Sequence, residues 1–241
     1  HRTEITEAAL RAGKHVLSQK PFVTDLDTGE DLVKLAQDKG VKLAVNQNAR
    51  WAPYFAFMRE AARAGHIDQV LSVHLNVHWN HGWTAGTPFD SIEDLILYDF
   101  GVHWFDFVNS VLGARVQSVF ASALHGAGQA NRVPLLAQAL VRADGAQASL
   151  VFDGGIAHGA RDTTFVGGTA GSMCSDGVDL GHQTVTLASH ARPWMDNGST
   201  TVSSARWGSC SAPSKTTGSR PTAPPRTCAA WPWRLPPCGP A

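Results

Sequence analysis

Near residue 70 the spacing of apolar positions along this chain shifts from helical towards alternating, and the shift divides it in two. In the first part, Thr3 to Ala12 carries Ile5, Ala8, Ala9 and Ala12 at helical spacing and ends on Gly13, a residue suited to the position just past a helix. His15-Val16-Leu17 then reads as a short buried strand. Thr24 and Asp27 have capping-box spacing, which predicts a helix through Leu32, Val33, Leu35 and Ala36, stopped by Gly40. Val41 to Val45 follows as a strand running into Asn46-Gln47-Asn48, and Arg50 to Ala64 as a helix with Pro53 in its first turn. Helix, strand, helix, strand with short connections predicts a parallel sheet covered by helices, whose ligands sit off the carboxyl ends of the strands.

From Val70 the period moves towards two. Leu71, Val73, Leu75 and Val77 alternate with Ser72, His74, Asn76 and His78, which predicts a strand with one face on a core. A loop from Asn80 to Asp94, rich in Gly, Trp and acids, leads to Leu97–Leu112, a helical stretch with little surface left for water. Further strands are predicted at 116–124, 135–141, 148–152, 163–166 and 184–187, separated by glycine turns such as Asp153-Gly154-Gly155 and Gly167-Gly168. Strand after strand without intervening helices predicts an antiparallel sheet in a separate α+β domain. The expected boundaries are 1–66 for the first domain and 67–196 for the second.

Composition narrows the partners. Formal net charge is zero, so no global basic field points to nucleic acid, and no apolar run is long enough to span a bilayer. A small ligand is expected. Charge is uneven along the chain: residues 1–196 hold all 20 acids and 15 of the 20 Lys/Arg, and residues 197–241 hold the other five and no acid. Cys210, Cys228 and Cys238 also lie in that tail, at spacings that match no zinc pattern, so unpaired thiols in a reducing cytoplasm are the plain reading.

The chemistry gathers at the Leu97–Leu112 helix, where Asp99, His103 and Asp106 fall at i, i+4 and i+7 and share one face. A histidine in such a wall has its pKa set by its neighbours, which is what a general base needs. On this segment alone Asp99 also fits a helix N-cap and His103 a core histidine with a satisfied ring. Pro21 fixes its own φ and holds Lys20 extended, so a loop at a strand's carboxyl end presents an ammonium in a defined direction; a solvated loop lysine is the other reading. Asn46 and Gln47 share that edge, as ligand contacts or as a helix-entry turn. His74, His78, His81, Trp79, Trp83 and Arg161 are candidates for lining a polyhydroxylated pocket, with surface histidines as the alternative. His74 and His78 point the same way but stand about 13 Å apart along a strand, too far for one metal ion, and no metal is expected.

AALRAGKHVLSQKP (Ala8–Pro21), NQNARWAP (Asn46–Pro53) and DFGVHWFD (Asp99–Asp106) occur in the order, and at about the spacing, of the Gfo/Idh/MocA (glucose-fructose oxidoreductase/inositol dehydrogenase) family. The chain resembles that family over most of residues 1–190. The resemblance implies an α/β partial Rossmann domain with a parallel sheet, followed by an α+β domain with an open, mainly antiparallel sheet that often forms the oligomer interface. It implies NAD or NADP as cofactor, with Gln19, Lys20, Pro21, Asn46 and Gln47 as cofactor-binding candidates. It implies Lys20, Asp99 and His103 as the catalytic group, and Gln19 stands where the family usually has glutamate. The expected substrate is a sugar or polyol met by Lys20, His78, Trp83, Asp99, His103 and Arg161. His103 would take the hydroxyl proton, Asp99 position the hydroxyl and imidazole, and Lys20 stabilise negative charge on oxygen.

No G-x-G-x-x-G stands at a strand-to-helix junction. The first strand, the glycine-rich turn and the acid that reads the ribose are expected upstream of His1, so weak dinucleotide binding by this chain is expected. A non-catalytic sugar-binding or scaffold remnant is the alternative function. The tail, 197–241, reads as disordered by composition. Read two bases along, degenerate codons permit an acid-containing segment of helical pattern in its place, so a shifted reading frame is the sharper expectation.

Overall fold

The two predicted halves fold around sheets of different kinds. The structure is a computed structural model that describes residues 2–189 and, for the backbone alone, 200–203. In the first half α1 (Arg2–Arg11) leads to β1 (Val16–Gln19), and α2 (Leu26–Asp38) to β2 (Leu43–Asn46). The two strands pair in parallel from Val16 opposite Leu43 to Gln19 opposite Asn46. Leu10 of α1 and Leu32 and Ala36 of α2 make a small core with Val16, Phe22, Leu35 and Leu43. Asp25, rather than Thr24, caps α2: its carboxylate accepts from Thr28 N at 2.8 Å and Thr28 Oγ1 at 2.5 Å, an acceptor that a threonine hydroxyl matches less well.

The second half contains α3 (Pro53–Arg63), β3 (Val70–His78), α4 (Val102–Leu112), β4 (Val116–Leu124), β5 (Leu136–Ala143), β6 (Ala146–Asp153), β7 (Arg161–Gly168), β8 (Gly171–Asp179), β9 (His182–Ser189) and β10 (Thr200–Ser203). These strands form one eight-stranded sheet in the order β10-β9-β8-β7-β3-β6-β5-β4, in which only β3 and β6 run parallel. Both helices lie on one face. Tyr54, Phe55 and Met58 of α3 and Trp104, Phe107, Val108 and Leu112 of α4 share a core with Val73, Leu75, Val77, Leu150 and Phe152. Phe55 stacks on Phe107 with ring centroids 4.4 Å apart. Thus α3, grouped by pattern with residues 1–66, spends its apolar face on the large sheet. The parallel pair and the large sheet belong to one compact unit.

Three departures from the pattern have local causes. Leu71 is exposed because the β3–β7 register slips between Val70 and Ser72, and such a bulge turns one side chain to the other face. Strand β8 carries no alternating pattern because its covered positions are Met173, Ser175 and Gly177, which no hydropathy period detects. Thr200–Ser203, placed by composition in the tail, pairs antiparallel with β9, in keeping with the β-branched Thr200-Thr201-Val202. Residues 190–199 and 204–241, which hold most of the tail and its shifted-frame reading, lie outside the described residues.

A polar island interrupts the covered face. Asp162 and Thr164 of β7, Ser175 of β8 and Gln183 of β9 are all buried there. Tyr54 Oη donates to Asp162 Oδ2 at 3.2 Å, and the Trp104 indole N–H stands beside the same carboxyl. Burial pushes the Asp162 pKa up to about 7, against the pull of those two donors. The folded chain therefore holds a proton that the unfolded chain releases between about pH 4 and pH 7, and the stability it carries is lost as pH rises through that window. Asp162→Asn removes the titration while keeping the shape, so thermal denaturation is expected to show the variant gaining on the parent from pH 5 to pH 8, by roughly 2–3 kcal/mol. An equal difference at both pH values would remove the protonated carboxyl.

Candidate active site

Lys20 follows the last residue of β1, in a loop that α1 holds from below. Arg2 Nη1 donates to the carbonyls of Gln19 at 3.3 Å, Lys20 at 3.1 Å and Pro21 at 2.8 Å, and the Lys20–Pro21 peptide is cis. Gln19 folds its side chain back on the loop, Oε1 accepting from Lys20 N at 3.0 Å. The lysine crosses to the second half of the chain. Its Nζ donates to the Asp99 carbonyl at 2.7 Å and lies 3.4 Å from Asp99 Oδ2, with the Phe100 ring centroid 6.0 Å away.

His103 stands in the first turn of α4. Its pKa is lowered to about 4, chiefly by burial and then by the positive charge of Lys20, against the opposing pull of Asp99 and Asp106. The ring is therefore neutral at physiological pH and free to accept a proton. Nδ1 is buried without a hydrogen-bond partner among the described residues. Asp106, placed by spacing on the same face, is engaged elsewhere: Arg50 grips its carboxylate with two guanidinium nitrogens, Nε at 2.9 Å and Nη2.

A cleft of about 630 Å³ opens beside Asp99, lined by Arg2, Thr3, Pro21, Glu93, Tyr98 and Asp99 itself; Lys20 and His103 are not in its lining. Next to it Trp79, His81, Trp83, Phe89 and Phe100 form an aromatic cluster. The His81 and Phe100 centroids are 4.1 Å apart, and Trp83 meets Phe89 and Phe100 edge-on at 5.5 and 6.4 Å. Burial lowers the His81 pKa to about 4, so this histidine is a neutral wall residue. Trp83 therefore stands with the Phe100 side of the site. His78 and Arg161 do not join it: both lie on the sheet face opposite α4, His78 Nδ1 on Asp153 Oδ2 at 2.7 Å and Arg161 Nε on Asp176 Oδ1 at 2.9 Å. Past the bulge, His74, Asn76 and His78 of β3 all point that way, which an isolated strand pattern leaves open. Arg2, Tyr98 and Phe100 were not singled out from the sequence, because each owes its place to a loop brought alongside by folding.

Residues 1–47 match the oxidoreductase family with an NAD-binding Rossmann fold, and residues 55–174 match the GFO/IDH/MocA C-terminal domain. This chain belongs to the Gfo/Idh/MocA family. It is similar to 1,5-anhydro-D-fructose reductase of Ensifer adhaerens, 31% identical over 74% of this chain and 54% of that protein. It is similar also to an NADP+-dependent scyllo-inositol 2-dehydrogenase of Bacillus subtilis, 30% identical over 43% of this chain and 29% of that one. The chain spans about half the length of these relatives or less. In fold it resembles an inositol dehydrogenase homologue from Azotobacter vinelandii, complexed with NADH and myo-inositol. That likeness has a TM-score of 0.69 and 18% identity over 84% of this chain and 53% of that one. An oxidoreductase from Agrobacterium radiobacter with NAD+, L-tartaric acid and magnesium gives a TM-score of 0.72 and 19% identity over 85% and 58% of the two chains.

Members of this family with an NAD-binding Rossmann fold hold a nicotinamide. At the carboxyl end of β2, Gln47 Oε1 is buried with no partner, an acceptor of the kind a carboxamide N–H satisfies. Asn46, Gln47 and the Lys20–Pro21 loop suit that end of a dinucleotide. The junction between β1 and α2 is Lys20-Pro21-Phe22-Val23-Thr24-Asp25, with no glycine, so that junction offers no glycine-rich cradle for a diphosphate.

The loop that carries His81 and Trp83 is clipped to the hairpin between β4 and β5. Asp90 accepts from Gly86 N at 3.0 Å and Arg132 N at 2.8 Å, and Asn131 Nδ2 donates to Thr84 Oγ1 at 2.8 Å. Asp90→Ala leaves two backbone donors unpaired. Limited proteolysis is expected to cut the 80–95 loop several-fold faster in that variant with the far-ultraviolet spectrum unchanged, and an unaltered cleavage rate would assign the clip to other contacts.

Proposed function

We propose that this chain carries the substrate side of an NAD(P)-dependent oxidoreductase that moves hydride between a nicotinamide and the secondary alcohol carbon of a sugar or polyol. One observation carries the reading: an ammonium from the first half of the chain and a neutral imidazole from the second meet around Asp99. The names of the relatives, an anhydrofructose reductase and a scyllo-inositol dehydrogenase, support the substrate class.

A bound nicotinamide supplies or takes the hydride at the carbinol carbon. His103 receives the hydroxyl proton as that carbon is oxidised, and returns it in the reverse direction. Lys20, fixed on Asp99, stabilises negative charge on the same oxygen. The aromatic cluster around Phe100 keeps water from one side of the site. Trp83 contributes apolar surface to the substrate side, and Asp99 holds the lysine in place more than it touches the imidazole. A sugar-binding or scaffold protein is the second reading, and the test below separates the two. A reducing, cytoplasmic setting belongs to the proposal.

The open face of the large sheet supports self-association in this same reading. Cross-strand register lines up Phe120, Leu140, Ser149, His74, Phe165 and Cys174 in a single row, with Phe120 66%, Leu140 58% and Phe165 40% exposed. Apolar surface of this extent on a flat sheet suits a second copy of the chain. Light scattering after gel filtration is expected to give a dimer or larger that Phe120→Asp with Leu140→Asp reduces to monomer; a monomeric parent would end this part of the reading.

The catalytic part is tested by following reduced nicotinamide absorbance with a panel of cyclitols and anhydro sugars. His103→Ala is expected to lower kcat by roughly 10²–10⁴ with little change in NADH affinity measured by fluorescence. Turnover that survives this substitution would remove His103 as the base, and saturable sugar binding without any turnover would favour the scaffold reading.

A further inference from the structure

The segment leading into α4 is wound as a π turn, Ile96–Phe100, where the hydropathy pattern predicts an unbroken helix. Tyr98 N donates four residues back, to Asp94 O at 2.8 Å, but Gly101 N reaches five back, to Ile96 O at 2.6 Å. Trp104 N and Phe105 N then both return to Gly101 O at 3.0 Å. One residue more than an α turn holds is thus inserted ahead of α4. In a regular α-helix the Asp99 carbonyl would point along the axis towards the amide of residue 103. In the π turn it accepts from Lys20 Nζ at 2.7 Å, with the carboxylate of the same residue at 3.4 Å. The lysine is held at two points, and one of them is a peptide group that does not titrate.

Gly101 admits this turn by its lack of a side chain. Its φ of −61° and ψ of −23° are open to any residue, so backbone freedom is not the reason. A Cβ at this position would lie 2.8 Å from Ile96 O, 2.8 Å from Leu97 O and 3.1 Å from Leu97 Cα. All three are backbone atoms, and no rotamer change moves them aside.

We propose that Gly101 is a positioning residue for Lys20: by admitting the π turn it swings the Asp99 carbonyl onto the lysine ammonium and fixes where that charge stands. Its weight in turnover rests on the reading of Lys20 as catalytic; the anchoring does not, so it is tested without turnover. Acetylation of the intact chain with limiting acetic anhydride, followed by peptide mass spectrometry, reads the rate at Lys20 against the exposed Lys14 and Lys34. Gly101→Ala is expected to raise the relative rate at Lys20 roughly tenfold, the loss of one charge-assisted hydrogen bond. Asp99→Asn, which keeps the carbonyl, is expected to raise it about twofold or less. Deleting Tyr98 removes the inserted residue and lets α4 continue in α register, and it should expose Lys20 as Gly101→Ala does, in a chain whose near-ultraviolet spectrum reports an intact core. An unchanged Lys20 rate in the folded variants overturns the proposal, as does an Asp99→Asn chain that frees the lysine as fully as Gly101→Ala. Failure of both Gly101→Ala and the deletion to fold also overturns it, because the glycine would then serve the core and not the lysine.

Discussion

Lys20 and Asp99 are 79 residues apart in sequence, and the contact between them joins the loop after β1 to the turn before α4. Its physical demand is plain. An ammonium whose side chain is only 18% exposed needs acceptors, and this chain provides a carbonyl and a carboxylate from one residue. The donor side is equally constrained, because Arg2 gathers the three carbonyls from Gln19 to Pro21 and leaves the loop one direction in which to present its lysine. Two basic side chains thus organise the junction, one by holding backbone and one by being held by it.

Burial sets the protonation states around this junction, with opposite consequences for bases and acids. His103 and His81 are kept neutral because an imidazolium loses hydration there, and Asp162 holds its proton near neutral pH because a carboxylate does. The histidines favour the folded chain above about pH 6.5 and oppose it as pH falls towards 4; the aspartate acts the other way. The ammonium of Lys20 adds to burial in keeping the His103 imidazole neutral.

The large sheet separates two kinds of surface. Its covered face carries α3 and α4, and so the site; its open face carries a row of exposed apolar and polar side chains. His78 and Arg161 look like sugar-binding residues in isolation. They belong to the open face, where each finds a carboxylate on a neighbouring strand.

Much of this was legible from residue order alone. The helix and strand rhythm of residues 3–64, the alternation of β3, and the Asp99-x-x-x-His103 spacing after Lys20-Pro21 rest on local periodicity and short motifs, and these pointed to the family, its fold class and its nicotinamide chemistry. Folding decided what local pattern does not encode. Strand β8 was invisible because its buried side is Met, Ser and Gly. The face on which β3 turns His78 depended on which side the helices cover. Asp106 is taken up by Arg50, 56 residues away in sequence, which helical spacing could not show. The π turn at Asp99 has room because Gly101 carries no Cβ, which would otherwise meet two backbone oxygens. In each case the deciding contact lies across the chain or in backbone geometry, and hydropathy spacing records only which residues prefer to leave water, not which partners they find once they do.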